Sequence, residues 1–278
     1  MKPHYIIHAP AKINLSLDIL RKRSDGFHEL ETLMTPLQGL SDSLTFTGAD
    51  SYALTCDDES IPTGEENLIT KAVRSFEQAS SIQVTYRIQL EKNIPHAAGL
   101  GGGSSDAAHT LLALNHLYNE PLTLEKLHEM ASDLGSDIPF FLYNAPCMCR
   151  GRGEQIEVMP QRKPSHALIL KPQFGVSTPS AFKNWKDSKE IKGFSYKDQN
   201  GPYGKMNNAL ERPVFEKYIF LGEMKRWLLA HNKVKVAQMS GSGSTMFALT
   251  SSDQDSQDVI ADAKQHLDPN LYSWFGMI

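Results

Sequence analysis

The chain of 278 residues has a formal net charge of −4, with 40% hydrophobic and 22% charged residues. This composition is typical of a globular protein and argues against general nucleic-acid binding, which needs clustered Lys and Arg. The N-terminus lacks the shape of a signal peptide, and no run of about 18 apolar residues is present to span a membrane, so we expect a cytoplasmic protein. The three cysteines, few and odd in number, are expected to be reduced thiols.

The first half of the chain shows strand and helix patterns on both sides of a glycine-rich segment. A turn is predicted at Ser24-Asp25-Gly26. Thr123 is the expected N-cap of the last helix in this half, and Gly135 is expected to end it. Alternating or helical apolar spacing predicts strands over 13–19, 40–46 and 82–90, and helices over 66–80, 105–118 and 123–134.

The second half mixes the two kinds of element without strict βαβ alternation. Residues 183–205 are polar, have no period and are predicted to form a mobile loop. Together, these patterns predict an α+β fold of two domains, 1–155 and 156–278. The remaining predicted elements are strands over 167–170, 234–239 and 245–249, helices over 214–231 and 255–266, and a last short strand.

The strongest local signal is the segment GLGGGSSD, which starts at Gly99 between a predicted strand and a predicted helix. Glycines let the backbone approach a ligand closely, and a helix N-terminus offers N–H groups and a positive dipole end. A phosphate-binding loop is therefore favoured over a plain connector. No Gly-Lys-Ser/Thr follows, which excludes a Walker A loop. A dinucleotide fingerprint would need glycine at Ser104 and an acidic residue after a second strand, whereas Glu120 lies in a turn.

Three further segments each have an ordinary structural alternative. Lys12 and Asn14 share the polar face of an otherwise apolar strand, which by itself is typical of a solvated face. Asp137 lies two residues before Pro139 and is a candidate helix cap. The segment Ser240–Ser244, of sequence SGSGS, is typical of a tight hairpin turn.

In combination, these segments resemble the superfamily of galactokinase, homoserine kinase, mevalonate kinase and phosphomevalonate kinase. The resemblance rests on a lysine-bearing first strand, a phosphate loop and a late glycine-rich turn, in that order and over nearly the whole chain. Within the superfamily, the chain is most similar to the 4-diphosphocytidyl-2-C-methyl-D-erythritol kinase family. The segments that carry this similarity are PAKINLSLDI, DGFHELET, GLGGGSSDAA, LGSDIPFF and MSGSGSTMFAL.

The resemblance implies two α+β domains with the active site in the cleft between them, and a loop that wraps the ATP phosphates. It implies that Asp137 takes the proton from the attacking hydroxyl, while Lys12 keeps Asp137 ionised and holds the transferring phosphoryl group. Asn67 and Lys92 are the implied adenine contacts. The implied phosphate-loop residues are Pro95, His96, Ala97, Ala98, Gly99, Leu100, Gly101, Gly102, Gly103, Ser104 and Ser105.

For the acceptor, the resemblance implies that Phe27 stacks on cytosine and that His28 and Asn14 help to read the cytidine end. His28 could also be an ordinary histidine beside a turn. Thr178 is implied to lie near the substrate and Phe182 to close the other face of the base, although the spacing after GVSTP is shorter here than in other members.

The implied reaction is ATP-dependent phosphorylation of the 2-hydroxyl of 4-diphosphocytidyl-2-C-methyl-D-erythritol, in the non-mevalonate route to isoprenoid precursors. Mg²⁺ is expected to arrive with ATP, and no metal ligand is assigned. Asp106 stays open between a magnesium role and an acid in the first turn of a helix. We expect no nucleic-acid or membrane partner, and a monomer or weak homodimer. The alternatives are a sister kinase of homoserine or a mevalonate-type alcohol, and a nucleotide-binding regulator, against which Lys12 and Asp137 argue.

Overall fold

The computed structural model describes residues 4–278 and confirms the α+β class. The strands are β1 (His4–Lys22), β2 (His28–Gly48), β3 (Ala53–Cys56), β4 (Tyr86–Glu91), β5 (Cys147–Gly151), β6 (Gln155–Val158), β7 (His166–Lys171), β8 (Gln199–Gly201), β9 (Gly204–Asn208), β10 (Val236–Met239), β11 (Met246–Thr250) and β12 (Tyr272–Met277). The helices are α1 (Leu68–Ser80), α2 (Gly102–Leu117), α3 (Leu124–Leu134), α4 (Thr178–Asn184), α5 (Glu211–Lys217), α6 (Ile219–Ala230) and α7 (Asp253–His266), with a 3-10 helix over Pro139–Leu142. Over the same described residues, none of the helices has the length and apolar content needed to cross a bilayer.

The chain folds into two compact units, each made of three segments that alternate along the sequence. β1 and β2 are long strands, and each contributes one part to each unit. The units therefore differ from the single boundary after residue 155 that the sequence predicts, because a local pattern does not reveal that one strand serves two cores. The first unit contains the described residues up to Ala11, Leu40–Pro95 and Gly101–Ala145, and the second contains Lys12–Gly39, His96–Leu100 and Pro146–Ile278.

The first unit combines three helices with a small sheet. The last residues of β2 pair antiparallel with β4, and β3 pairs with β4 in parallel. α1 packs against both α2 and α3. Phe46 of β2, Phe76 of α1 and Ile88 of β4 are fully buried and mark its core. This unit carries the N-terminus of α2, where the predicted phosphate loop ends.

The second unit is built around β7, which pairs antiparallel with β11 and β12. β10 extends this sheet beside β11, while β5 pairs with the first part of β2 and with β6. β9 runs parallel to β1 at Ser16 and Leu17. Phe215, Met224 and Val259, from α5, α6 and α7, are buried in its core. The unit holds Lys12 and the SGSGS segment on the same framework.

The predicted strand over 82–90 begins only at Tyr86. The Val84 N–H donates to Glu77 Oε1 at 2.9 Å, and the Thr85 N–H donates to Tyr118 Oη at 2.9 Å. Side chains thus accept the hydrogen bonds of these two N–H groups, which apolar alternation alone does not reveal.

Two predictions in the second half are corrected. Residues 183–205, predicted as a loop, contain β8 and the start of its antiparallel partner β9. The Gln199 side chain donates to the Ala237 carbonyl oxygen at 2.9 Å and accepts the Ala237 N–H at 3.1 Å, so a distant strand stabilises the hairpin. The predicted helix over 214–231 is divided at Tyr218, whose φ of −119° and ψ of 71° are not helical.

Candidate functional site

The glycine-rich segment leads into α2 with a backbone that glycine favours. Gly99 and Gly101 have φ values of +76° and +73°, in the left-handed region. α2 begins at Gly102, and the Ser105 N–H donates to the Gly101 carbonyl oxygen at 2.8 Å. The N–H groups of the three helical residues before Ser105 precede the first of the hydrogen bonds along the helix, and they lie at the positive end of the helix dipole. This arrangement suits a phosphate group.

The predicted start of this helix at Ser105 is wrong by three residues. Gly101 occupies the N-cap position and makes no side-chain cap bond, so Ser104 and Ser105 lie in the first turn and do not cap the helix. Glycine has a low helix propensity, which is why the sequence pattern placed the start too late.

Residues His96–Leu100 are tied to the second unit through their backbone. The Leu100 carbonyl oxygen accepts the Lys12 N–H at 2.9 Å, and the Ala98 carbonyl oxygen accepts the Thr245 N–H at 3.2 Å. Ala97 has a φ of +52°, which an alanine rarely adopts. The loop is therefore held in one defined path beside β1. Its first residues are the half-buried Pro95 and the exposed His96.

Lys12 and Asn14 are joined on one face of β1, and both side chains are buried. The Lys12 ammonium donates to Asn14 Oδ1 at 2.7 Å and to the Gly99 carbonyl oxygen at 3.1 Å. Asn14 Nδ2 donates to Thr32 Oγ1 at 2.8 Å, which fixes its amide with the oxygen toward Lys12. Because buried charges in proteins are normally paired or functional, this arrangement argues against a solvated strand face.

The Ser240–Ser244 segment packs against the predicted phosphate loop and Lys12. Ser240 Oγ donates to the Gly99 carbonyl oxygen at 2.9 Å, and a Cβ added to Gly99 would overlap the Ser240 carbonyl oxygen. A Cβ added to Gly241 would lie 3.4 Å from Lys12 Nζ. Because its glycines have no side chains, the turn leaves space for the close approach of Lys12 and the loop. It therefore does more than connect two strands.

Asp137 lies in the first unit, half-buried, between α3 and the 3-10 helix. The N-cap position of that helix belongs to Ile138, which makes no side-chain cap bond, and Pro139 follows it. The N-cap position thus lies one residue after Asp137. The roles of Asp137 as a base and of Lys12 as its partner stay predictions.

An aromatic group surrounds His28 in the second unit. The His28 ring stacks on Phe182, with centroids 5.4 Å apart and an interplanar angle of 29°, and Trp185 meets it edge-on at 6.0 Å. Burial, with a smaller effect of the Lys22 ammonium, lowers the pKa of His28, which favours the neutral imidazole. A neutral imidazole carries one donor and one acceptor, which suits the edge of a cytosine base.

Phe27, the residue before His28, presents a ring that is 49% exposed. The Arg152 guanidinium carbon lies 5.0 Å from the centroid of that ring, a cation–π distance. One face of Phe27 is thus occupied by Arg152, and a stacked base would use the other. Sequence reasoning missed Arg152 and Trp185, since neither lies in a recognisable motif.

Thr178 occupies the first position of α4, whose N-cap is Ser177. Thr178 Oγ1 lies 2.7 Å from Ser242 Oγ, within hydrogen-bond distance. The residue implied to lie near the substrate is thereby joined to the same glycine-rich turn that packs against Lys12.

Both implied adenine contacts have structural partners in the first unit. Asn67 is the N-cap of α1, where its Oδ1 accepts the Ile69 N–H at 2.8 Å and its Nδ2 donates to the Pro62 carbonyl oxygen at 2.6 Å. Lys92 Nζ forms ion pairs with Asp42 and Asp106. A contact of Lys92 with adenine would therefore fall to its backbone or its aliphatic stem.

Sequence reasoning also missed Asp42, although a signal was present. Leu40, Asp42, Leu44 and Phe46 lie at alternate positions of β2 and are all buried, so Asp42 is a carboxylate on an apolar face. Such a break in strand alternation indicates a paired charge. Among residues 4–278, no group of three or more His, Cys, Asp or Glu side chains is arranged to hold a metal ion.

Comparison with known proteins gives two matches to family models and many relatives. Residues 67–145 match the model of the GHMP kinases N terminal domain, and residues 197–268 match that of the GHMP kinases C terminal. A 4-diphosphocytidyl-2-C-methyl-D-erythritol kinase of Methylacidiphilum infernorum is 40% identical over 95% of this chain and 93% of its own length. The kinase of the same name from Protochlamydia amoebophila is 40% identical over 87% of this chain and 83% of its own.

Solved structures agree at the level of the fold. A crystal structure of 4-(cytidine 5'-diphospho)-2C-methyl-D-erythritol kinase superposes with a TM-score of 0.79 at 33% identity, covering 98% of both chains. Homoserine kinase from Cytophaga hutchinsonii superposes with a TM-score of 0.75 at 18% identity, over 100% of this chain and 95% of its own. The second likeness concerns the fold alone.

Proposed function

Because this chain belongs to the GHMP kinase family, we propose that it transfers the γ-phosphoryl group of ATP to the 2-hydroxyl of 4-diphosphocytidyl-2-C-methyl-D-erythritol. The reaction belongs to the non-mevalonate route to isoprenoid precursors. The observation that carries this choice of acceptor is the stacked pair of His28 and Phe182, together with the exposed ring of Phe27, the residue before His28. A flat, uncharged base needs such a surface, whereas homoserine and mevalonate do not.

At the ATP end, the proposal assigns phosphate binding to the first turn of α2. The N–H groups of Gly102, Gly103 and Ser104 supply donors in a preformed geometry, and the dipole of α2 favours negative charge. Mg²⁺ enters with the nucleotide as the substrate complex MgATP. Catalysis of phosphoryl transfer depends mostly on positioning and charge neutralisation, which a rigid loop can provide.

In the transfer step, the oxygen of the substrate 2-hydroxyl forms a bond to the γ-phosphorus of ATP while the bond to the leaving ADP oxygen breaks. The hydroxyl proton passes to the Asp137 carboxylate, which acts as the general base. Lys12 stabilises the negative charge on the transferring phosphoryl group. Asn14 and the Gly99 carbonyl oxygen hold the Lys12 side chain in one orientation, which supports this role.

At the cytidine end, Phe27 stacks on the base and His28 bonds to its edge. The stack of His28 on Phe182 supports a place for Phe182 beside the base, despite the shortened spacing that follows GVSTP. Thr178 lies near the acceptor.

We further propose that the protein is cytoplasmic and that it is a monomer or weak homodimer. Light scattering on purified protein would test the oligomeric state. Burial raises the pKa of the Cys147 thiol to about 12, consistent with an unreactive, reduced thiol.

The proposed acceptor is tested by comparing three substrates at saturating MgATP: the cytidine diphosphate alcohol, homoserine and mevalonate. We expect kcat/KM for the cytidine compound to exceed the others by about 10³-fold or more, because a site with polar groups placed for one base discriminates strongly. Preference for homoserine or mevalonate would support the sister-kinase alternative. MgATP binding without turnover of any acceptor would support the regulator.

A further inference from the structure

A buried charge cluster formed by Asp42, Lys92 and Asp106 lies against the first turn of α2. Lys92 Nζ bonds to Asp42 and, at 2.9 Å, to Asp106 Oδ2. A Cβ added to Gly102 would lie 3.3 Å from Lys92 Nζ and 3.4 Å from Asp42 Oδ2. By contrast, a Cβ added to Gly103 would meet only Leu68 among the described residues, at 3.7 Å. The cluster therefore lies next to the N–H groups assigned to phosphate.

The cluster also connects the segment that enters the phosphate loop to the helix that leaves it. Asp42 Oδ1 accepts the Asn93 N–H at 2.6 Å and the Ile94 N–H at 2.8 Å, just before Pro95. Asp106 is part of α2, and Lys92 bridges the two carboxylates. A change at any of the three groups is thus transmitted to the start of α2.

The charge of this cluster is unbalanced when both carboxylates are ionised, since one ammonium faces two of them. Asp106 Oδ1 is buried and has no hydrogen-bond partner among the described residues. Burial raises the pKa of Asp106 to about 7, with the Lys92 ammonium opposing and the Asp42 carboxylate adding to the rise. Burial alone would lower the pKa of Lys92, but the two carboxylates outweigh it.

The other titratable groups on the neighbouring elements are either paired or exposed. His109 Nδ1, one turn along α2, lies 2.9 Å from the Ser105 carbonyl oxygen, and Asp57 Oδ1 accepts the Lys92 backbone N–H at 2.9 Å. The paired charges on α1 and α3 are Arg74 with Glu77 and Lys126 with Glu129, and Lys71 of α1 is exposed. Lys92 and Asp42 are therefore the charges that dominate at Asp106.

We infer that Asp106 is a positioning residue that sets ATP affinity through the charge of this cluster, an inference that rests on the proposed function. A neutral cluster, with Asp106 protonated, leaves the positive end of α2 available to the phosphates. An ionised Asp106 adds one negative charge beside them and weakens binding by Coulomb repulsion. Binding of MgATP thus takes up a proton near neutral pH.

The test compares the dissociation constant of MgATP for wild-type protein and Asp106→Asn from pH 6 to pH 8. Asparagine can keep its oxygen on Lys92 and place its NH₂ group at the unpartnered position, so only the charge changes. The ratio of wild-type to variant dissociation constants cancels the ionisation of ATP itself. We expect this ratio to be near one at pH 6 and to rise about three- to tenfold by pH 8, the size of a shift of up to one pKa unit.

Glu129→Gln is the matched control, because it removes a carboxylate from an exposed ion pair of the same unit. The ratio of wild-type to Glu129→Gln dissociation constants should not change with pH. Calorimetry of the wild-type protein in two buffers of different ionisation enthalpy gives a second measurement, which does not depend on the variant folding. Proton uptake at pH 7 supports the inference.

The inference is wrong if wild-type protein binds MgATP but the ratio of wild-type to Asp106→Asn dissociation constants does not change with pH, or if binding takes up no proton. Either result leaves the proposed function standing. Wild-type protein that does not bind MgATP at any pH overturns the proposed function itself. The two failures are thereby distinguishable.

Discussion

Replacement of Gly99 by alanine should damage the phosphate loop far more than a usual exchange of glycine for alanine. With a φ of +76°, alanine at this position has a left-handed backbone, which costs about 1–2 kcal/mol. Its Cβ would also overlap the Ser240 carbonyl oxygen and lie 3.0 Å from the Gly243 carbonyl oxygen, so the turn must shift. A shift strains the bond between Lys12 Nζ and the Gly99 carbonyl oxygen, and a hydrogen bond to a charged group is worth about 1.5–3 kcal/mol.

Gly39 offers a matched control for the backbone strain. Its φ is +91°, and an added Cβ would meet no atom of residues 4–278 within 4 Å. We expect Gly39→Ala to lose only about 1–2 kcal/mol of unfolding free energy and to keep its kinetics within about twofold. Gly99→Ala should lose about 3–5 kcal/mol, and its kcat/KM for ATP should fall at least about tenfold.

The assay is urea unfolding followed by circular dichroism, with steady-state kinetics on the same samples. Equal losses of stability and activity in Gly99→Ala and Gly39→Ala would contradict this prediction, because the two variants share the backbone strain and differ only in the close approach of the added Cβ to the Ser240–Ser244 turn.

Three more predictions concern the base, the cytosine stack and a buried carboxyl. Asp137→Asn should lower kcat by about 10²–10⁴ while calorimetry detects nearly unchanged binding of both substrates; an active enzyme would exclude Asp137 as the base. Phe27→Ala should raise KM for the cytidine substrate about 5- to 150-fold with KM for ATP unchanged, and Phe27→Tyr should be nearly silent; parallel rises in both KM values would assign Phe27 to the fold. Because the folded-state pKa of Asp106 is raised to about 7, its contribution to stability is full below about pH 4 and is lost as pH rises toward 7. Unfolding of Asp106→Asn and wild type at several pH values should therefore show the variant gaining on the order of a few kcal/mol relative to wild type between pH 4.5 and 7.5, whereas a constant difference would contradict the buried carboxyl.

Much of the site was predictable because its parts are local in sequence. The alternation of apolar residues along β1 placed Lys12 and Asn14 on one face, and both lie there, joined by a hydrogen bond. The glycines before α2 indicated a backbone that only glycine adopts readily, and Gly99 and Gly101 have positive φ. The side-chain period of a strand and the φ preference of glycine need no knowledge of distant residues.

The features that the sequence did not reveal depend on long-range pairing. Ser240 meets Gly99 across 141 positions of the chain, and Asp42 meets Lys92 across 50. Each unit is made of separate segments of the chain because β1 and β2 are long and each contributes residues to both cores. Arg152 reaches Phe27 from the turn after β5, where only its charge was visible in the sequence.

We propose above that the γ-phosphoryl group of ATP is transferred to the 2-hydroxyl of the cytidine diphosphate alcohol. Phosphorus NMR of the reaction mixture tests it directly, with proton–carbon correlation to locate the new ester. We expect one new phosphomonoester on the 2-oxygen, formed in equal amount with ADP, and an intact cytidine diphosphate linkage. ADP formation without a phosphomonoester, or a phosphoryl group on another hydroxyl, would contradict it.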